Sequence, residues 1–371
     1  MGASVTSLDQ VRRLAVTRTL FAPTTLRRAL HRLGFVQADP IRAPARAQDL
    51  ILFHRVKGYR AGDLERRYEE LGVNEERFVN YGFVTSELQA LMHPRPQVKV
   101  PAEGGGSWYA SQQRLARRVL AFVRERGEVH PQEVEERFAI GTIRNWFGGA
   151  SNATTHLLEA MLYHGVVRVV RRESGIRIYA EQRHGPGPRT EAERRERLDT
   201  LADAAIGLYA PLSFSRLRFL IGHLRHAVPQ WKADLPGVIQ RAVSRLRHAC
   251  IDGVDWYWPE GGAAAGAPED RVRLLSPFDP VVWDRSRFEI LWGWTYRFEA
   301  YTPAAKRQRG YYALPLLWRD RVIGWGNVSV KGAELTWDVG FVGAKPRDRL
   351  FPLALEEELE RLRSFLRLPA P

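Results

Sequence analysis

At 371 residues the chain is long enough for two or three domains, and its 44% hydrophobic content excludes a disordered chain. A balance of 56 Lys plus Arg against 42 Asp plus Glu leaves a formal charge of +14, which points to a polyanionic partner. No long basic amphipathic helix is set apart for an anionic membrane, and one cysteine excludes both a disulfide framework and a cysteine-held metal centre. That residue, Cys250, sits in an Ala-Cys-Ile setting that predicts core filling. The histidines are scattered without ligand spacing, so no metal and no cofactor are expected. With no basic, apolar leader and no stretch of transmembrane length, a cytoplasmic protein is expected.

In chain order, Ser7 and Gln10 have capping-box spacing before an apolar stripe of Leu8, Val11 and Leu14. Thr24 and Thr25 open a second helix carrying Leu26, Leu30 and Leu33, and Gly34 stops it. The next eight residues, Gly34 to Ile41, hold a short apolar run with two polar side chains two positions apart. On an extended chain Gln37 and Asp39 point to the same side, while Val36 and Ala38 face the other. Pro40 then ends the strand. An amide that can hold a water beside a carboxylate that can polarise it makes a minimal hydrolytic site. Asp before Pro is also the ordinary chemistry of a turn. Asp49 to Val56 is strongly apolar and reads as either a helix or a buried strand, and Asp63 starts a short helix through Leu64, Tyr68 and Leu71. A small winged-helix unit fits this order.

Gly104 to Gly106 reads as a linker. Beyond it Leu115, Val119 and Phe122 mark a helix ended by Gly127, and Pro131 opens a second helix with Val134 and Phe138. Ser151 or Asn152 caps a third that carries Leu157, Leu158, Met161 and Leu162. Strands at Val166 to Arg172 and Ile176 to Tyr179 flank a Glu173-Ser174-Gly175 turn. Three helices and then a hairpin is the order of a winged helix-turn-helix. Its wing carries Arg171, Arg172 and Arg177, placed either to meet phosphates or simply to solvate a hairpin. His184 to Pro188 is a second break. Helices at Ser213 to Leu224 and Leu235 to Ala249, then a strand at Val254 to Trp258, repeat the arrangement without a detectable sequence repeat.

Gly261 to Pro268 is a further linker. The last hundred residues read as strands at Phe288 to Tyr301, Tyr311 to Trp318, Val322 to Val330 and Leu335 to Val342, closed by a helix from Pro352 to Phe365. Between the first two strands lies a basic hairpin loop, Pro303 to Gly310, with Lys306, Arg307 and Arg309. It is either a solvated turn guarding a sheet edge or a finger on a phosphate backbone. The expected fold is α+β: tandem winged helix-turn-helix motifs followed by a β-rich, barrel-like C-terminal domain. The expected divisions are 1–103, 107–183, 189–260 and 269–371.

With these pieces placed, the chain resembles the YcaQ/AlkZ-like family of winged-helix DNA glycosylases. Gln37-Ala38-Asp39 after a Leu-Gly-Phe helix end resembles the family's catalytic motif, and Leu50 to Arg55 its apolar, Arg-ended segment. Glu125 to Gly127 and Arg177 to Tyr179 suit its central winged helix. Leu275 to Arg285, Tyr296 to Tyr301 and Lys306 to Tyr312 are the most specific matches. The chain departs from the family at Tyr81-Gly82-Phe83-Val84, which lacks a tryptophan and a histidine. It departs again at Asn327 and Ser329, where the family has Asp and Lys.

The resemblance implies a monofunctional hydrolase, without lyase activity, that cleaves the N-glycosidic bond of N7-alkylguanine in DNA, interstrand crosslinks included. Asp39 would stabilise the cationic sugar and accept a proton from water, and Gln37 would position that water. Arg42, Arg46, Arg171, Arg172, Arg177, Lys306, Arg307 and Arg309 are the candidate DNA contacts, weakening steeply with salt. The expected partner is double-stranded DNA containing alkylated bases, met by a monomer at the nucleoid. Two other readings stay open. One is a winged-helix transcriptional regulator without catalysis; the other is a family scaffold that binds alkylated DNA but has lost catalysis.

Overall fold

A computed structural model describes residues 5–95, 112–144, 150–261 and 268–369. The expected linker at Gly104 to Gly106 lies outside the described residues, as do positions 262–267 of the other. Local signals set the first elements. Helix α1 (Leu8–Thr17) starts at a capping box, with Ser7 accepting from the Gln10 amide and the Gln10 side chain accepting from the Ser7 amide. Helix α2 (Leu26–Leu33) is capped by Thr25 and ends at Gly34, whose φ of +69° suits a residue without Cβ. Strand β1 (Phe35–Gln37) leaves that turn at once.

Helix α3 (Ala47–Phe53) resolves the ambiguous apolar segment as a helix buried along its whole length. After the short α4 (Asp63–Arg66) comes a hairpin, β2 (Val73–Arg77) and β3 (Tyr81–Thr85), followed by α5 (Ser86–Met92). Strand β3 lies between β1 and β2, so the motif-bearing strand is an edge.

The central segment runs α6 (Gln113–Arg126), β4 (Glu128–Val129), α7 (Pro131–Phe138), a small β5 (Thr142–Arg144) and β6 (Ala150–Asn152) pair, α8 (Ala153–Tyr163), then β7 (Val167–Glu173) and β8 (Ile176–Glu181). Asn152 caps α8 by accepting from the Thr155 amide at 2.9 Å. Next come α9 (Glu191–Tyr209), β9 (Leu212–Ser213), α10 (Phe214–His223), α11 (Leu235–Arg245), β10 (Arg247–Ile251) and β11 (Val254–Trp258). The helix expected to reach Ala249 stops at Arg245, because residues 247–251 pair with β11 instead. Strand alternation there turns Ile251 inward and Cys250 out to solvent, so the cysteine is not core filling.

The C-terminal part holds β12 (Val272–Leu274), α12 (Arg285–Trp292), β13 (Leu314–Trp318), β14 (Arg321–Lys331), β15 (Glu334–Phe341) and α13 (Leu350–Phe365). Its four strands form a curled half-barrel in the order β12-β13-β14-β15. The expected strand at Phe288 to Tyr301 is a helix followed by irregular chain. Capping overrides aromatic content: Asp284 accepts from the Arg287 amide at 3.1 Å, Gly293 ends the helix at φ +74°, and Phe288 and Leu291 bury at helical spacing. The Pro303 to Gly310 loop therefore does not join two strands of the sheet.

The chain's segments share their cores. Val11 and Ala15 of α1 pack with Trp256 of β11 and Leu291 of α12, while Val16 and Leu20 pack with Val281, Val282 and Phe288. Phe365, near the C-terminus, packs against Phe53 and Tyr59 at ring distances of 4.7 and 6.2 Å. Polar clasps run through these contacts. Arg55, fully buried, forks onto Asp279 at 2.8 and 3.0 Å and donates to the carbonyls of Thr19 and Ile51. Arg287, also buried, donates to Pro211 O at 2.8 Å, joining α12 to the turn after α9. His54 and Glu358 hold the Leu274 carbonyl and amide at 3.1 Å each, tying α3 and α13 to β12. These clasps fix the edge strand β1 relative to the half-barrel.

Removing one partner of a buried pair leaves an uncompensated charge. Asp279→Asn should lower unfolding free energy by about 3–5 kcal/mol. Denaturant unfolding checks it, and an unchanged midpoint would show that the pair does not hold the segments together.

Candidate active site

Gln37 is the last residue of β1 and is buried opposite Gly82. Its side-chain oxygen accepts from Asn80, in the β2–β3 turn, at 3.5 Å. A Cβ built on Gly82 would stand 2.3 Å from the Val36 carbonyl oxygen and 2.9 Å from the Gln37 Cα. Only glycine lets β3 approach β1 this closely. Gly82 is one position of the departure noted at Tyr81 to Val84, and its missing side chain has a local steric reason.

Asp39 lies just beyond the strand. The Ala38 amide makes the last pairing contact, to Tyr81 O at 3.0 Å. Asp39 Oδ1 accepts from the Ile41 amide at 2.9 Å, closing the turn that Asp before Pro predicts. Its own amide donates to Gln48 Oε1 at 3.4 Å. The turn and the candidate site are thus the same residue, since Oδ2 carries no hydrogen bond among the described residues. Half-burial raises the Asp39 pKa above its usual value, and the Ile41 amide partly opposes that shift. The carboxylate is therefore under-solvated yet reachable.

From Asp39 a polar chain leads to the central hairpin. Gln48 donates to Glu65 at 3.2 Å, and Glu65 accepts from Arg46. Next in space is Glu75, fully buried on β2. It takes Arg172 through two bonds of 2.7 Å, Arg177 at 3.1 Å and the Tyr81 hydroxyl. Arg177 also lies over the Tyr81 ring at 5.0 Å and pairs with Glu159. The hairpin tip is beside the site, because a Cβ on Gly175 would lie 3.1 Å from Arg46 Nη2.

The other candidate cations are placed differently. Arg171 pairs with Glu128 and Glu173 at the surface. Arg42 is exposed and lines, with Arg46, Asp49 and Glu65, an open recess of about 250 Å³ beside the motif. Lys306 is exposed; Arg307 donates to Thr302 O at 2.8 Å and covers Tyr311; Arg309 lies between the Trp294 and Trp325 rings at 5.1 and 5.3 Å. Asn327 donates to Arg309 O at 2.8 Å and crowds Gly310, so this second departure anchors the basic loop.

The half-barrel also contributes to the motif's surroundings. The Tyr312 phenol is shifted upward first by burial and then by the charge of Asp39. Sequence reasoning quoted Tyr312 within a motif without giving it a place, and it missed Asn80, Gln48, Glu65 and Glu75. Proximity between positions 39 and 312 has no local signal in sequence.

Compared with known proteins, residues 11–365 match the AlkZ-like DNA glycosylase family. A solved structure, Streptomyces sahachiroi DNA glycosylase AlkZ, is similar with a TM-score of 0.62 at 17% identity, covering 100% of both chains. At that identity the likeness is one of fold.

Gly82→Ala should force β1 away from β3 and displace Gln37, at a cost of about 1–3 kcal/mol from overpacking. Thermal unfolding with the variant beside wild type measures this, and equal midpoints would refute the close approach.

Proposed function

The chain belongs to the AlkZ-like DNA glycosylase family, and on that premise we propose that it is a monofunctional glycosylase for N7-alkylguanine in duplex DNA, interstrand crosslinks included. The observation that carries the finer reading is Asp39: a carboxylate with one oxygen fixed by a turn amide, partly exposed just beyond the end of an edge strand. A crosslinked base is tethered to the opposite strand and cannot swing into a deep pocket. An open carboxylate suits it.

In this reading the alkylated purine already carries positive charge and leaves as a neutral base when the bond from C1′ to N9 breaks. Asp39 stabilises the oxocarbenium-like sugar by its charge. Water held by the Gln37 amide then forms the new C–O bond, and its proton passes to Asp39. The segments 1–103, 107–183 and 189–260 act as tandem winged helix-turn-helix modules gripping the duplex, and 269–371 supports the lesion side. Phosphate contact falls first to the exposed charges of Arg42 and Lys306, and then to the partly exposed Arg171 and Arg307, which already hold protein partners. Arg46, Arg172, Arg177 and Arg309, held by protein partners, position the surface around them. No helix among the described residues is long and apolar enough to cross a membrane. The protein acts on DNA as a monomer.

The test is alkali-revealed strand scission of a duplex with one N7-methylguanine. Wild type should release the base, and Asp39→Asn should lower the single-turnover rate by about 10²-fold or more. Tight lesion binding without release by wild type would favour a DNA-binding protein. The rate should also follow the ionisation of Asp39. Because burial raises its pKa above the ordinary 3.8, activity should fall with decreasing pH through an apparent pKa above that value. A rate–pH profile without such an acid limb would remove Asp39 from the chemistry.

A further inference from the structure

Tyr301 is 81% exposed, more than any other large hydrophobic side chain among the described residues. A single exposed tyrosine is ordinary at a protein surface. Its carrier, however, is held unusually firmly for a loop without regular structure. The Thr302 amide donates to Glu299 O at 2.9 Å, closing a turn with Ala300 and Tyr301 at its apex. The Glu299 carboxylate accepts from the amides of Gln308, Arg309 and Gly310 at 3.0, 2.8 and 3.3 Å. Arg307 clamps the Thr302 carbonyl at 2.8 Å. The turn and the basic loop thus form one braced unit that holds an aromatic ring out in water.

The ring is also aligned with the candidate site. Tyr301 meets Phe298 edge-on at 6.1 Å, and Phe298 meets Tyr312 edge-on at 5.2 Å. Tyr312 is the phenol that feels the charge of Asp39. Two rings therefore separate the exposed tip from the neighbourhood of the carboxylate. Beside the tip, Lys306 is exposed and Arg307 lies over the half-exposed Tyr311. A loop serving only to meet phosphates needs the cations but gains nothing from a rigid apolar tip.

We propose that Tyr301 enters the duplex beside the lesion and stacks on a base there, a wedge that opens the helix so that the damaged nucleotide's sugar reaches Asp39. The proposal rests on the glycosylase reading and adds the residue that creates access. Aromatic rings stack on any base, so the contact is independent of sequence. A wedge of this kind trades unstacking for protein contact. The braced turn lowers the ordering cost of binding, since the ring is already presented.

The experiment compares wild type with Tyr301→Ala, Tyr301→Phe and Tyr301→Trp on two substrates carrying one N7-methylguanine: a duplex and the matching single strand. Tyr301→Ala should weaken duplex binding or slow single-turnover release by about tenfold or more. On the single strand, which has no partner to part from, it should change little. Phe and Trp should restore duplex activity, and the salt dependence of binding should stay at the wild-type slope because no phosphate contact is lost. Equal thermal midpoints confirm that the exposed substitution leaves the fold intact. If Tyr301→Ala matches wild type on the duplex, or loses as much on the single strand, the wedge is wrong and the glycosylase reading stands. If wild type releases base from neither substrate, the glycosylase reading itself fails and takes the wedge with it.

Discussion

Arg55 carries a permanent charge at zero exposure, which would be prohibitive without a partner that matches both its charge and its planar fork. Asp279 supplies that match from more than two hundred positions away, and the carbonyls of Thr19 and Ile51 take further N–H groups. The pair can form only when the first fifty-odd residues and the C-terminal sheet come together in one arrangement. Arg287 and the His54–Glu358 pair around Leu274 repeat the device at neighbouring seams. Polar contacts of this kind add little net stability over a well-packed apolar seam, but they are intolerant of misregister. The Leu275 to Arg285 motif, the most recognisable stretch of the chain, is mainly such a seam.

The same economy governs the arginines. A net charge of +14 suggests a surface crowded with free cations. Many of them are instead committed inward: Arg172 and Arg177 converge on the buried Glu75, and Arg46 on Glu65. The Glu75 pairs fasten the central hairpin to β2, which β3 separates from the strand that carries Gln37. A charge held this way still contributes to the field around a DNA strand, but it cannot release its partner without a large penalty. On the proposed reading, the exposed Arg42 and Lys306 hold the charges most available to phosphates.

At the candidate site, modest elements are combined. A carboxylate half out of water is less solvated than a surface one and more accessible than a buried one. Both properties would suit the proposed reaction, in which positive charge develops on the sugar. The glycine at position 82 lets two strands meet closely enough to place Gln37, and Tyr312, just before β13, lies near enough to Asp39 to feel its charge. The candidate groups need little flexibility of their own for such a role, because the surrounding clasps hold the strand that carries them.

Much of the local structure was legible in sequence. The capping box at Ser7, the stops at Gly34 and Gly127, the hairpin turn at Ser174-Gly175 and the order of most helices and strands all depend on interactions within a few residues. So did the turn at Asp39. Where local signals compete, reading by composition failed: the aromatic run after Arg285 is a helix because Asp284 and Gly293 cap it, and Cys250 points outward because its strand alternates. The tertiary structure alone decided which arginines are spent on buried glutamates, why position 82 has no side chain, and that Tyr312 lies near Asp39 with Tyr301 two rings away. Those facts depend on contacts between residues tens to hundreds of positions apart. Such contacts are fixed by packing and charge matching across the whole fold, and a linear sequence carries no local mark of them.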